Sequence, residues 1–164
     1  MTTVLIAAEG VLRRPSGGQP IREGIDLYYG LATRAKVVLF TEEIQSDSSD
    51  LGYWLTMEGM REHASILYNQ SHYGTDRVLM QVNKARASGQ DVSMVVEADP
   101  GESAKLIKAG YNVLTFSHAE YAVPIWRPDY RHHTAPWDSL VQQVEKEALL
   151  RAQDSRREED VQRR

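Results

Sequence analysis

Val4-Leu5-Ile6-Ala7-Ala8-Glu9-Gly10 is an aliphatic run that stops at a carboxylate and a glycine. It is too short for a helix and too continuously apolar for a strand with one wet face. It therefore reads as a buried strand over 4–8. The same kind of run returns as Lys36-Val37-Val38-Leu39-Phe40, as Val92 to Val96 and as Asn112 to Phe116, with a weaker one at Ser65-Ile66-Leu67-Tyr68. Between the runs the apolar spacing changes to helical, predicting helices over 21–32, 47–63, 75–88 and 100–109. Pro20 precedes the first, Thr75 is placed to cap the third, and Gly89 and Gly110 follow the last two. Strands alternating with helices across short connections imply an α/β fold, a three-layer sandwich whose parallel sheet of five strands is covered on both faces.

Composition narrows the classes. Apolar residues make up 41% of 164, enough for one packed core, so 1–152 reads as a single domain. Lys and Arg number 19 against 23 Asp and Glu, a formal charge of −4, which provides no general field to hold nucleic acid. There is no cysteine, hence no disulfide or thiolate chemistry, as suits a cytoplasmic protein. Met1-Thr2-Thr3 is no basic leader, and no run approaches the ~18–20 apolar residues of a membrane span.

Ligands of open parallel sheets bind beyond the carboxyl ends of the strands. Those ends carry Glu9-Gly10, Thr41-Glu42-Glu43, Asn69-Gln70, Glu97-Ala98-Asp99 and Ser117-His118. Carboxylates gathered at one place repel unless they share a cation or a proton, so Glu9, Glu97 and Asp99 form a candidate Mg²⁺ set. The competing explanation is that acidic residues complement helix N-termini, which suits Glu42, Glu43 and Asp99.

Ala7-Ala8-Glu9-Gly10-Val11-Leu12 resembles the opening motif of the haloacid dehalogenase (HAD) superfamily of phosphatases and phosphotransferases, Asp-x-Asp-Gly-(Thr/Val)-Leu. The resemblance spans residues 3–117. It implies a strand order 5-4-1-2-3 with the first strand central. It further implies a phosphate-binding hydroxyl at Thr41, a phosphate-binding base at Arg77 or Lys84, and Mg²⁺ ligands at Glu97 and Asp99. Trp126-Arg127-Pro128-Asp129 and Pro136-Trp137 are similar to segments of small HAD-like proteins of actinobacterial phages and their hosts. The intervals 13–39 and 42–74 are filled by the expected elements, which implies a capless domain or one with a minimal cap.

One departure governs the expected chemistry. The nucleophilic Asp of the family is replaced by Ala7, whose methyl can neither attack phosphorus nor ligate a metal. The general acid/base position is Glu9, which retains a carboxylate on a longer arm. The expectation is a HAD-like pseudoenzyme, binding a protein partner or a phosphorylated ligand. A Mg²⁺-dependent phosphohydrolase working through Glu9 without an aspartyl-phosphate is the second reading. A Toprim-like Mg²⁺ nuclease is the third, because Glu9-Gly10 and Glu97-Ala98-Asp99-Pro100 also resemble that domain's paired acidic motifs. The two strands between those motifs favour the HAD layout.

Other segments are less informative. Arg13 to Gln19, with Gly17-Gly18, reads as a mobile basic loop without the order of a nucleotide P-loop. His132-His133 lacks metal-ligand spacing. Trp126, Tyr130 and Trp137 read as anchors for a crossing loop over 118–135. From Pro136 a last helix carries Trp137, Leu140, Val141, Val144 and Ala148 on one stripe, which permits a homo-oligomer. The charged tail 153–164 is a solvated helical extension or disordered.

Overall fold

The computed structural model describes residues 1–14, 18–45, 50–70 and 76–117, together with 141, 142, 145, 146 and 149. The elements are β1 (Thr3–Ala7), α1 (Arg22–Ala32), β2 (Lys36–Ile44), α2 (Leu51–Met57), β3 (His63–Asn69), α3 (Arg77–Ala87), β4 (Val92–Glu97), α4 (Pro100–Lys108) and β5 (Val113–Thr115). The sheet is parallel throughout and ordered β3-β2-β1-β4-β5, the expected order read from the other edge. Right-handed crossovers then place α1 and α2 on one face and α3 and α4 on the other. α3 and α4 do pack against each other.

The aliphatic runs determine which strand is central. β1 is buried along its whole length, with Leu5 in register with Val38 of β2 and Val95 of β4. Leu5, Ile6, Val38, Leu39, Val95 and Val96 are fully buried and form the middle of the core. The chain leaving β1 therefore emerges between the ends of β2 and β4, where ligands of such sheets sit.

The structure corrects three expectations of local structure. The helix predicted over 47–63 is α2, ending at Met57; residues 46–49 lie outside the described set. Gly59 adopts φ +73°, its N–H donates to the Thr56 carbonyl, and the Met60 N–H reaches back to the Leu55 carbonyl at 2.9 Å. That closing motif ends the helix and buries Met60, whose apolar spacing had mimicked another helical turn. β2 continues past Phe40 through Thr41, Glu42 and Glu43 to Ile44, because the Thr41 and Glu43 side chains and the Glu42 N–H have partners across the strand ends. Arg13 and Arg14 do not belong to a mobile loop. The Arg14 N–H donates to the Gln19 carbonyl at 2.8 Å, the Gly10 N–H donates to the Arg13 carbonyl at 2.7 Å, and Arg13 pairs with Pro20 as an isolated bridge.

Thr75, the crossing loop 118–135, the start of the last helix at Pro136 and the tail 153–164 lie outside the described residues. Residues 141, 142, 145, 146 and 149 are helical, with Val141 and Leu149 exposed. Among the described residues no helix is long and apolar enough to cross a membrane.

Candidate functional site

A cavity of about 330 Å³ opens at the carboxyl ends of β1, β2 and β4, walled on one side by α3 and α4. Ala7, at the end of β1, lines the wall and has no side-chain polar group to offer. Glu9 follows, with Thr41 and Glu42 from β2, Asn69 from β3, Arg77 and Gln81 from α3, Glu97 from β4, and Glu102 and Lys105 from α4. Gln81 ties α3 to the sheet, its amide donating to the Thr41 carbonyl at 2.9 Å.

Glu9 is held on both carboxylate oxygens. Oε1 accepts from the Thr41 hydroxyl at 2.8 Å and from Arg13 Nη2 at 3.0 Å, and Oε2 accepts from the Glu42 N–H at 3.2 Å. The Thr41 proton is thus committed to Glu9, while its oxygen accepts from the Glu43 N–H at 3.1 Å. Arg13 is the residue that sequence reasoning missed. It is 5% exposed, its Nη2 also contacts Glu43 at 2.5 Å, its Nη1 contacts Asp50 at 2.9 Å, and its guanidinium lies 5.7 Å from the centre of the Trp54 ring. Burial works against its charge, but the bonds to Asp50, Glu43 and Glu9 outweigh that and raise its pKa. Glu43 is pushed up by burial and then by Asp50, against the pull of Arg13; Asp50 is held down by its hydrogen bonds to Glu43 and Arg13. The only hints in the sequence were the spacing of Glu9 and Arg13, four residues apart, and the apolar Val11-Leu12 that draws the chain back into the core.

Glu97 is 5% exposed and lines the same cavity. Its Oε1 accepts the N–H groups of Ala98 at 2.8 Å and Asp99 at 3.0 Å. Burial pushes its pKa up to about 8, helped by the charges of Asp99 and Glu102 and only partly opposed by those two N–H bonds. Glu42 is raised in the same direction, by burial and then by the Glu9 charge, with Arg77 offsetting part of it. Asp99 lies at the N-terminus of α4, where its Oδ1 accepts from the Glu102 N–H at 2.8 Å. That is the helix-capping role rather than a position in the cavity wall. Of the two candidate bases, Arg77 lines the cavity, whereas Lys84 lines a neighbouring groove between β3 and α3 that Arg77 also borders. Lys105 also enters the wall, with Nζ 2.7 Å from Glu102 and 3.7 Å from Asp76.

No family model, curated protein or solved structure matches this chain. The Mg²⁺ expected from the HAD resemblance does not fit these side chains. Ala7 offers no ligand, Glu9 already receives three donors, Glu97 is buried and bonded to the Ala98 and Asp99 amides, and Asp99 caps α4. Among the described residues no group of three or more His, Asp or Glu side chains is placed to hold a metal ion.

Proposed function

We propose that this chain is a HAD-like domain with a degenerate active site, which binds a phosphorylated ligand at the ends of its strands without turning it over. The observation that carries this reading is the pair at the end of β1. Ala7 supplies a methyl where the resemblance calls for a nucleophile, and the carboxylate of Glu9 is occupied by Thr41, Arg13 and the Glu42 amide. A nucleophile or general base needs a lone pair aimed at the reacting atom.

The cavity can still bind. Arg77 and Lys105 supply charged donors for an oxyanion. Glu97, whose Oε1 is taken by two N–H groups and whose pKa is pushed up to about 8, lines the cavity as a neutral acid at neutral pH. Glu42 and Glu102 are acceptors for hydroxyl groups on the remainder of a ligand. This is the donor and acceptor pattern of a phosphorylated polyol rather than of a bare dianion, because Lys105 shares its charge with Glu102 and the wall carries acidic side chains beside its two cations.

Calorimetric titration of the metal-free protein with sugar phosphates and nucleotides tests the binding half of the proposal. Arg77→Ala is expected to weaken the best ligand roughly 10-fold or more, the worth of one charge-assisted hydrogen bond. Unchanged affinity would place the ligand elsewhere. A phosphatase assay tests the other half. The native chain is expected to release no phosphate, and Ala7→Asp restores the missing carboxylate for comparison. Release by the native chain that disappears in Glu9→Gln would favour the phosphohydrolase reading.

A further inference from the structure

We infer that Arg13 is the built-in cation of this site: its guanidinium, in place of a divalent ion, holds Glu9 and Glu43 together at the ends of β1 and β2 and keeps the strand-end cavity assembled without metal. The inference stands on the carboxylate geometry and does not depend on which ligand the cavity takes.

Three acidic side chains meet at this corner, Glu9 after β1, Glu43 in β2 and Asp50 at the start of α2. Left alone they would repel across the two strand ends and open the sheet there. Arg13 reaches all three from inside, with Nη2 shared by Glu9 and Glu43 and Nη1 on Asp50. A planar guanidinium suits this task, since its fixed fork serves several carboxylates at once while its Cζ sits over the Trp54 ring. A divalent ion would instead need oxygen atoms drawn in to about 2.0–2.6 Å of one point.

The chain is also folded to deliver this side chain. The N–H groups of Leu12 and Arg13 both donate to the Ala8 carbonyl, at 3.1 and 3.0 Å, so the turn after β1 doubles back and sets Arg13 beside Glu9. Glu43 completes the arrangement by accepting the Leu51 N–H at the first residue of α2, at 3.3 Å. Arg13 is thus a positioning residue. It fixes Glu9, and through Glu9 the Thr41 hydroxyl and the Glu42 amide on the cavity wall.

Thermal unfolding of the full chain, stripped with a chelator and then titrated with Mg²⁺, tests this. The native protein is expected to melt at one temperature with and without millimolar Mg²⁺. Arg13→Gln is expected to melt roughly 10 °C lower and to recover part of that loss on adding Mg²⁺, because the freed carboxylates then need a cation. A merely structural arginine would lower the melting temperature without creating the Mg²⁺ response, and that result would overturn the inference. So would a native protein that Mg²⁺ stabilises through Glu9, shown by loss of the effect in Glu9→Gln. If Arg13→Gln does not fold, Mn²⁺ line broadening of the native chain decides instead. Unbroadened amides at Glu9, Thr41 and Glu42 are expected, and selective broadening there would refute the inference.

Discussion

Gly24→Ala should destabilise the protein by about 3 kcal/mol, although alanine is the better helix former. Gly24 lies in the first turn of α1, where the helix is seated on the turn that leaves β1. A Cβ built there would sit 1.7 Å from the Val11 carbonyl oxygen and 2.6 Å from its carbon. Both are backbone atoms of the segment that delivers Glu9 and Arg13, so neither can rotate away. The helix has to lift, and with it the turn between Glu9 and Arg13. Gly30 in the same helix has nothing within 4 Å of the place a Cβ would take. Gly30→Ala should therefore stabilise by roughly 0.5–1 kcal/mol. Denaturant titration of the two variants beside the native chain separates steric exclusion from helix propensity; a loss shared by both would contradict the close-approach argument.

The second large effect is a pH dependence carried by Glu97. Its pKa is near 8 in the folded chain, against an ordinary carboxylate value of 4.5 in the unfolded one. Between those two values the folded state holds a proton that the unfolded state has released. Stability is therefore greatest below the unfolded value and falls as pH rises through the window, levelling off above about 8. The side chain is 5% exposed, so solvent screens little of this. The accumulated loss is about 5 kcal/mol. Glu97→Gln keeps the shape and an oxygen for the Ala98 and Asp99 N–H groups but cannot ionise. Its unfolding free energy should lack this decline, and the variant should overtake the native chain as pH approaches 8. Parallel pH profiles for the two proteins would show that Glu97 is not buried as a neutral acid.

The sheet was legible in the sequence because each central strand had to be apolar on both faces. Val4 to Ala8 and Val37 to Phe40 have no other stable environment in water. The same argument stopped short at Thr41, since a polar residue ends an aliphatic run whether or not the strand ends. β2 continues because Thr41 and Glu43 bond to Glu9 and Arg13, partners 32 and 30 residues away. Arg13 was hidden for a similar reason. A cation in a Gly- and Pro-containing segment is ordinarily solvated, and nothing nearby in sequence announces Glu43 or Asp50. The strand-end rule placed Glu9, Thr41 and Glu97 in one cavity but overestimated Asp99, which serves as the cap of α4. The family resemblance, for its part, left Arg77 and Lys84 as alternatives. They are seven positions apart on α3, close to two full turns, so they share a face, and only the end nearer the strand tips reaches the cavity.

The most direct test of a site that binds without turnover is ³¹P NMR of a phosphate-ester panel incubated with the chelator-treated protein. The expected result is a shifted or broadened ester resonance for at least one compound, reversed by Arg77→Ala, with no inorganic phosphate accumulating. Growth of an inorganic phosphate signal that Glu9→Gln abolishes would contradict it and make Glu9 a working catalytic group.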